Sequence, residues 1–258
     1  MKAIVYSSKD VGGTNIANFL ISNHGFEVTD ERFETQSVFR RGDWDLIRTD
    51  SEAVYAEQLN DLNYEELIFA SRHKAASGNP SLTAHVCGNF GANDLGGKEG
   101  KLSLASANTM CNIFRSMVSY DGSHVVSLEV THHGPYLDIP HCWIELGSCE
   151  KQWTDLKAAE FLSDCTIKGI ESKDETKTAI GFGGNHYCPK LTEHEGECAF
   201  GHIMPKYAQK HLTQSMVEQM IEKTFPKPGV IYLEKKGVAK QSEVRSLLEK
   251  TGLEVIVV

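Results

Sequence analysis

The feature that most constrains this chain is an alternation of short apolar runs, each near strand length, with segments whose apolar residues follow helical spacing. KAIVYSS (2–8), ELIFASR (66–72), LTAHVCG (82–88), HVVSLEV (124–130), CWIELG (142–147) and TKTAIGF (176–182) read as strands. After the first strand a glycine turn, VGGTN, leads into a helix capped by Thr14, with an apolar face through Ile16, Ala17, Phe19, Leu20 and Ile21. Residues 106–119 and 154–162 carry helical periodicity, the second with Thr154 near its start. Residues 213–225 form an amphipathic helix ended by Pro226. GVIYLEKKG, KQSEVRSLLEKTG and LEVIVV then close the chain as a strand–helix–strand unit.

This alternation predicts an α/β fold, a mixed, largely parallel sheet flanked by helices. Runs such as HVVSLEV and LEVIVV are apolar almost throughout, as expected of strands covered on both faces. Residues 1–258 are read as a single domain. The stretch from about 25 to 65 is poorer in periodicity and richer in charge, and is expected to be an inserted small lobe or a long irregular connection.

Four of the apolar runs pass directly into a polar cluster. ELIFA leads to Ser71, Arg72, His73 and Lys74; LTAHVC carries His85 and leads to GNFG; HVVSLEV leads to THHGP; TAIGF leads to GGNHY with His186. If the strands are parallel, their carboxyl ends share the sheet edge where open α/β sheets bind ligands. In an extended segment Glu129, Thr131 and His133 point one way and His132 the other. The two histidines face one ligand only if the strand ends there, and Gly134-Pro135 supplies that ending. A single such histidine reads as a satisfied core residue, but the set points to a site.

Imidazole and carboxylate suit zinc, and a catalytic zinc keeps three protein ligands and a water whose pKa falls to about 7. No GxSxG or HExxH is present, so two other hydrolase routes lack their signatures. A second histidine-rich stretch spans 181–207, where His186, Cys188, His194, Cys198 and His202 offer the alternative of a closed structural zinc site. Its GFGG segment and the GNFGANDLGG loop (88–97) are candidates for backbone N–H donation to a phosphate or an oxyanion. The second loop lacks the ending of a P-loop.

A net charge of -9 argues against broad nucleic-acid binding, although Arg40/Arg41, Arg72/Lys74 and Lys235/Lys236/Lys240 are candidate basic patches. No apolar stretch reaches the ~18 residues of a membrane span. MKAIVYSSKD reads as a first strand and not as a signal peptide, so a cytoplasmic protein is expected. The seven cysteines include no CxxC and are expected to be buried apolar residues, not a disulfide framework.

Taken together, ASRHK (70–74), LTAHVCGNFG (82–91), EVTHHGP (129–135), GFGGNHY (181–187) and FGHIMPKYA (200–208) resemble the D-aminoacyl-tRNA deacylase family of archaeal and plant type. The resemblance implies hydrolysis of the ester of D-aminoacyl-tRNA by zinc-activated water, in a monomer with a phosphorylase/peptidyl-tRNA hydrolase-like core and one or two zinc ions. It directs attention to Glu129, His133 and His73 for catalysis, and to His85, His132, His133, His186 and His202 for metal. Arg72, Lys74, Gly88, Asn89, Gly91, Gly183, Gly184 and Lys206 are expected at the substrate, with Lys210 flanking them. The alternatives are another metal-dependent amidase or esterase, a peptidyl-tRNA hydrolase-like enzyme, a nucleoside phosphorylase-like enzyme, and a zinc-stabilised RNA-binding module without catalysis.

Overall fold

A computed structural model describes residues 1–239 and 241–258, so Lys240 of the third basic patch lies outside the described residues. The first half of the chain runs β1 (Lys2–Ser7), α1 (Val11–Asn23), β2 (Glu27–Phe33), β3 (Gln36–Arg41), β4 (Trp44–Thr49), β5 (Leu67–Lys74), β6 (Ser81–His85), β7 (Ala105–Ser106), α2 (Ala107–Met117) and β8 (Val125–Leu128). It continues through β9 (His141–Ser148), α3 (Glu150–Trp153), α4 (Leu156–Glu171), β10 (Thr178–Phe182), α5 (Pro189–Thr192) and β11 (Ala199–Met204). The remainder is α6 (Gln214–Glu222), β12 (Thr224–Phe225), β13 (Val230–Leu233), α7 (Gln241–Glu249) and β14 (Glu254–Val257).

The larger sheet runs β12-β7-β9-β5-β1-β4-β3-β2, with β6 and β8 branching from β9. Strands β4, β1, β5, β9 and β7 are mutually parallel, whereas β6 is antiparallel to β9, and β2–β3–β4 form an antiparallel meander. A smaller sheet, β11-β10-β13-β14, is parallel throughout. The fold is thus α/β with a mixed, largely parallel sheet flanked by helices. The stretch from 25 to 65 supplies the β2–β4 edge of the main sheet and two short 3-10 turns.

Central strands are buried on both faces, which is why residues 3–6 of β1, 67–70 of β5 and 142–144 of β9 are apolar runs, interrupted by the buried polar residues Ser71, His73 and Glu145. One core layer packs Ile16, Leu20, Ile113, Phe114 and Leu162 of α1, α2 and α4 on the sheet. The opposite face buries Phe69, Trp143, Leu59 and Leu137, with Phe69 and Trp143 stacked at 4.5 Å. A third cluster lies on the small sheet under Val217, Met220, Val244 and Leu248 of α6 and α7.

The first helix begins earlier than the sequence suggested. Asp10, not Thr14, is its cap, accepting from Gly13 N at 2.9 Å. Gly12 and Gly13 are therefore its first turn, not a loop. They permit close approach to β5: a Cβ on Gly13 would stand 2.3 Å from the Ala70 carbonyl oxygen. In α4, which starts near Thr154 as expected, the cap is Asp155, accepting from the Lys157 and Ala158 amides. The helix over 213–225 stops at Glu222, and Thr224–Phe225 pair with β7.

Candidate active site

The antiparallel course of β6 corrects the expectation of one common carboxyl edge. His73, near the end of β5, stands level with Gly147 of β9, whereas His85, the last residue of β6, stands level with Trp143. The histidines gather over the face of β5, β9 and β6. Segments following β8 and β10 close over that face, joined to each other by the Glu129–Tyr187 bridge and to the end of β6 by the Cys87–His132 bridge.

His133 resolves the problem of adjacent histidines. Its φ of 42° is left-handed, which breaks the alternation of an extended strand. His132 and His133 then turn to one side with ring centroids 4.4 Å apart, and His85 lies 4.3 and 4.9 Å from them. Each of these three rings directs Nδ1 to a backbone carbonyl: His132 to Val130 at 2.7 Å, His133 to Gly134 at 2.6 Å, and His85 to Val86 at 3.3 Å. A carbonyl only accepts, so Nδ1 carries the proton; in His132 and His133 Nε2 then presents a lone pair, the arrangement common to metal-ligating histidines, whereas in His85 burial opposes a charge but Glu145 outweighs it and raises the pKa.

Beside this triad stands a carboxylate group. Glu129, its side chain fully buried, approaches His73 Nδ1 at 2.9 Å, His186 Nε2 at 3.0 Å and His132 Nε2 at 3.4 Å. Glu145, on β9, approaches His73 Nδ1 at 3.3 Å and His85 Nε2 at 3.7 Å. Tyr187 Oη lies 3.0 Å from His73 Nε2. Burial opposes a charge on His73, but Glu129 and Glu145 outweigh it and raise its pKa to about 11. Its imidazolium donates from both nitrogens. Burial would raise the Glu129 carboxyl, yet His186 and His73 hold it well below its ordinary range. His133 is lowered to about 4 by burial and by its neighbour His85, and His132 is lowered well below 6.5 for the same reasons.

A cation fits these donors. Both Glu129 oxygens, His186 Nε2 and His85 Nε2 are buried without a partner in hydrogen-bond geometry, although charges stand close by. One donor atom each from His85, His132 and His133 falls within 4.8 Å of the others, and the same holds for His73, Glu129 and His186, and for His85, Glu129 and Glu145. The second and third sets share Glu129, and the first and third share His85.

The remaining expectations divide. His202 is not in this cluster: its Nε2 donates to the Ser103 carbonyl at 3.0 Å and its Nδ1 faces Thr131 Oγ1 at 3.2 Å, so both nitrogens are spent. The closed zinc site is also absent among the described residues. His194 pairs with Glu197, while Cys188 and Cys198 are buried against the Leu128 and His194 carbonyls. Gly88 and Asn89 line a cavity beside the histidines with Gly91, but the Gly88 amide bonds the His132 and His133 carbonyls and the Asn89 amide bonds Lys101. The Gly183 and Gly184 amides go to the Met204 carbonyl and Glu234, so these four are not free oxyanion donors. Arg72 is held by the Lys9 carbonyl, by Glu52 and by the face of Trp153. Lys74 lines a second cavity, and Lys206 lies one groove away. Sequence reasoning missed Glu145 and the role of Tyr187. An acidic residue inside the apolar run CWIELG was the available signal for Glu145.

Fold and geometry together define an α/β protein with a buried imidazole–carboxylate cluster able to hold a cation. Residues 60–256 match the family model described as D-aminoacyl-tRNA deacylase. Curated proteins named D-aminoacyl-tRNA deacylase from Thermococcus onnurineus and Pyrococcus horikoshii are each 35% identical, covering 99% of this chain and 99% of theirs. A crystal structure described as a conserved protein of unknown function superposes with a TM-score of 0.91 at 30% identity, covering 100% of this chain and 95% of that one. The chain belongs to the D-aminoacyl-tRNA deacylase family.

Proposed function

We propose that the chain hydrolyses the ester between a D-amino acid and the 3′ end of tRNA, using a zinc ion held by His85, His132 and His133. The observation that carries this reading is the triad itself, three rings that each direct Nδ1 to a carbonyl and that bring one nitrogen apiece to within 4.8 Å of the others. Zinc in such a site supplies Lewis-acid polarisation of the ester carbonyl and lowers the pKa of a water to about 7.

Glu129, 3.0 Å from His186 and 3.4 Å from His132, accepts the proton of the attacking water. The His73 imidazolium, held between Glu129 and Tyr187, keeps that carboxylate ionised and oriented. His186, whose side chain is 41% exposed, is the ring that reaches the substrate and delivers a proton to the departing ribose oxygen.

The test is hydrolysis of matched D- and L-aminoacyl-tRNA by protein as purified, stripped by chelator, and restored with zinc. The expected result is D-selective release that disappears on stripping and returns with zinc, with circular dichroism unchanged. Metal-independent turnover, or loss of fold on stripping, refutes the assignment. The same reading makes tRNA the partner and binding weaker at higher salt. It also makes the protein a cytoplasmic monomer, which sedimentation checks. No helix among the described residues is long and apolar enough to cross a membrane.

A further inference from the structure

Two cavities open on the histidine cluster from different sides. The larger, 480 Å³, is walled by Phe90, Gly91, Tyr207, Lys210 and His211. The smaller, 250 Å³, is walled by Glu52, Ala53, Val54, Lys74 and Trp143. They have only Leu95, His132, His133 and His186 in common. A bond cleaved at these histidines therefore has one of its two sides in each cavity.

Resting on the deacylase reading, we propose that the larger lobe takes the terminal nucleoside of the tRNA and the smaller lobe takes the aminoacyl group, with the ester beneath Leu95. Size assigns them first, because a nucleoside is bulkier than a single amino-acid side chain. Chemistry agrees. The larger lobe offers one exposed aromatic face, Tyr207 at 57%, over a wall that includes the buried Phe90, and sets Lys210 and His211 beside Asp94. Through Tyr207 and Lys210 it continues into a further 430 Å³ groove lined also by Lys206 and Glu243, so the phosphate chain leaves past two lysines near the mouth. The smaller lobe is closed at its base by Trp143 and Ala53, 1% and 6% exposed. Glu52 pairs with Arg72 Nη2 through one oxygen, at 3.4 Å, and turns the other toward an α-ammonium group. Asp10, which also borders this lobe, is not available, since Gly13, Ser71 and Arg72 occupy its oxygens.

The assignment makes opposite demands on two variants of the full chain. Tyr207→Ala removes a stacking face and raises KM about tenfold, by the same factor for D-alanyl-, D-tyrosyl- and D-tryptophanyl-tRNA. Ala53→Leu fills the small lobe and lowers kcat/KM for D-tyrosyl-tRNA at least tenfold more than for D-alanyl-tRNA. Val54→Phe is the second filling variant should Ala53→Leu fail to fold by circular dichroism. Calorimetry with adenosine 5′-phosphate gives a readout independent of the reaction: Tyr207→Ala weakens its binding at least five times more than either filling variant. A side-chain-dependent effect of Tyr207→Ala, a uniform effect of the filling variants, or absent adenosine 5′-phosphate binding overturns the assignment. If wild type releases no D-amino acid yet binds the nucleotide through Tyr207, the reaction reading falls and the nucleoside lobe stands.

Discussion

Acidification provides a quantitative check on the placement of His202 outside the cluster. The ring is fully buried and its pKa is lowered to about 4, because burial penalises the charged form. Its unfolded value is 6.5. As pH falls, the unfolded chain takes up this proton first. The stabilising contribution is therefore complete above 6.5, shrinks below it, and is gone once pH passes the folded value near 4. At 1.36 kcal/mol per unit, acidification from pH 7.5 to 5.0 spans about 1.4 units of effective shift and costs about 2 kcal/mol from this ring alone. His202→Gln removes the titration while leaving an amide that donates to the Ser103 carbonyl and accepts from Thr131. Urea unfolding at pH 7.5, 6.5, 5.5 and 5.0, on wild type and variant in parallel, isolates the term, because His141, His132 and His133 titrate in both. The wild type should lose about 2 kcal/mol more than His202→Gln over that range. Equal slopes, or a steeper fall in the variant, refute the reasoning.

Three further outcomes follow from the site. His133→Ala should cut D-aminoacyl-tRNA turnover at least a hundredfold, and His133→Gly should do the same while unfolding about 1 kcal/mol later than the alanine variant, because only glycine adopts φ near +42° without strain; equal midpoints would contradict this. Tyr187→Phe deletes the hydrogen bond to His73, should cost about 1 kcal/mol in thermal unfolding, and should lower kcat more than it raises KM; unchanged kcat would remove Tyr187 from the mechanism. Gly134→Ala should destabilise by about 1–3 kcal/mol or prevent folding, since the added Cβ meets Gly97 N at 2.2 Å and the Val54 oxygen at 2.6 Å; a wild-type midpoint would show that this wall is loose.

The central strands were legible because burial on both faces leaves few polar positions, so β1, β13 and the apolar stretches 67–70 of β5 and 142–144 of β9 stand out. The β2 strand was not, because none of its residues is buried and edge strands need no alternation. Nothing in LTAHVCG reveals that β6 runs against β9, since pairing direction is a tertiary property. The histidines of the cluster were legible as chemistry, but not their division into a triad and a carboxylate-bound group. That division depends on which carbonyl each Nδ1 meets. His202 carried the same local signal as His186 and differs only in what the fold packs around it. Asp10 was passed over as a cap because the glycines after it read as a turn, and their use in helix–strand contact requires knowing that β5 lies beneath.

The cluster draws its side chains from five places between residues 73 and 186; His73, His85 and Glu145 meet on the main sheet, and the set is complete only when the loop after β10 has docked and brought His186. A partly assembled chain can show most of its ellipticity and have no competent centre. In a refolding time course, recovered turnover therefore reports the last docking event and trails the spectroscopic signal, and the gap between them measures how long the protein waits, structured but silent, for His186 to arrive.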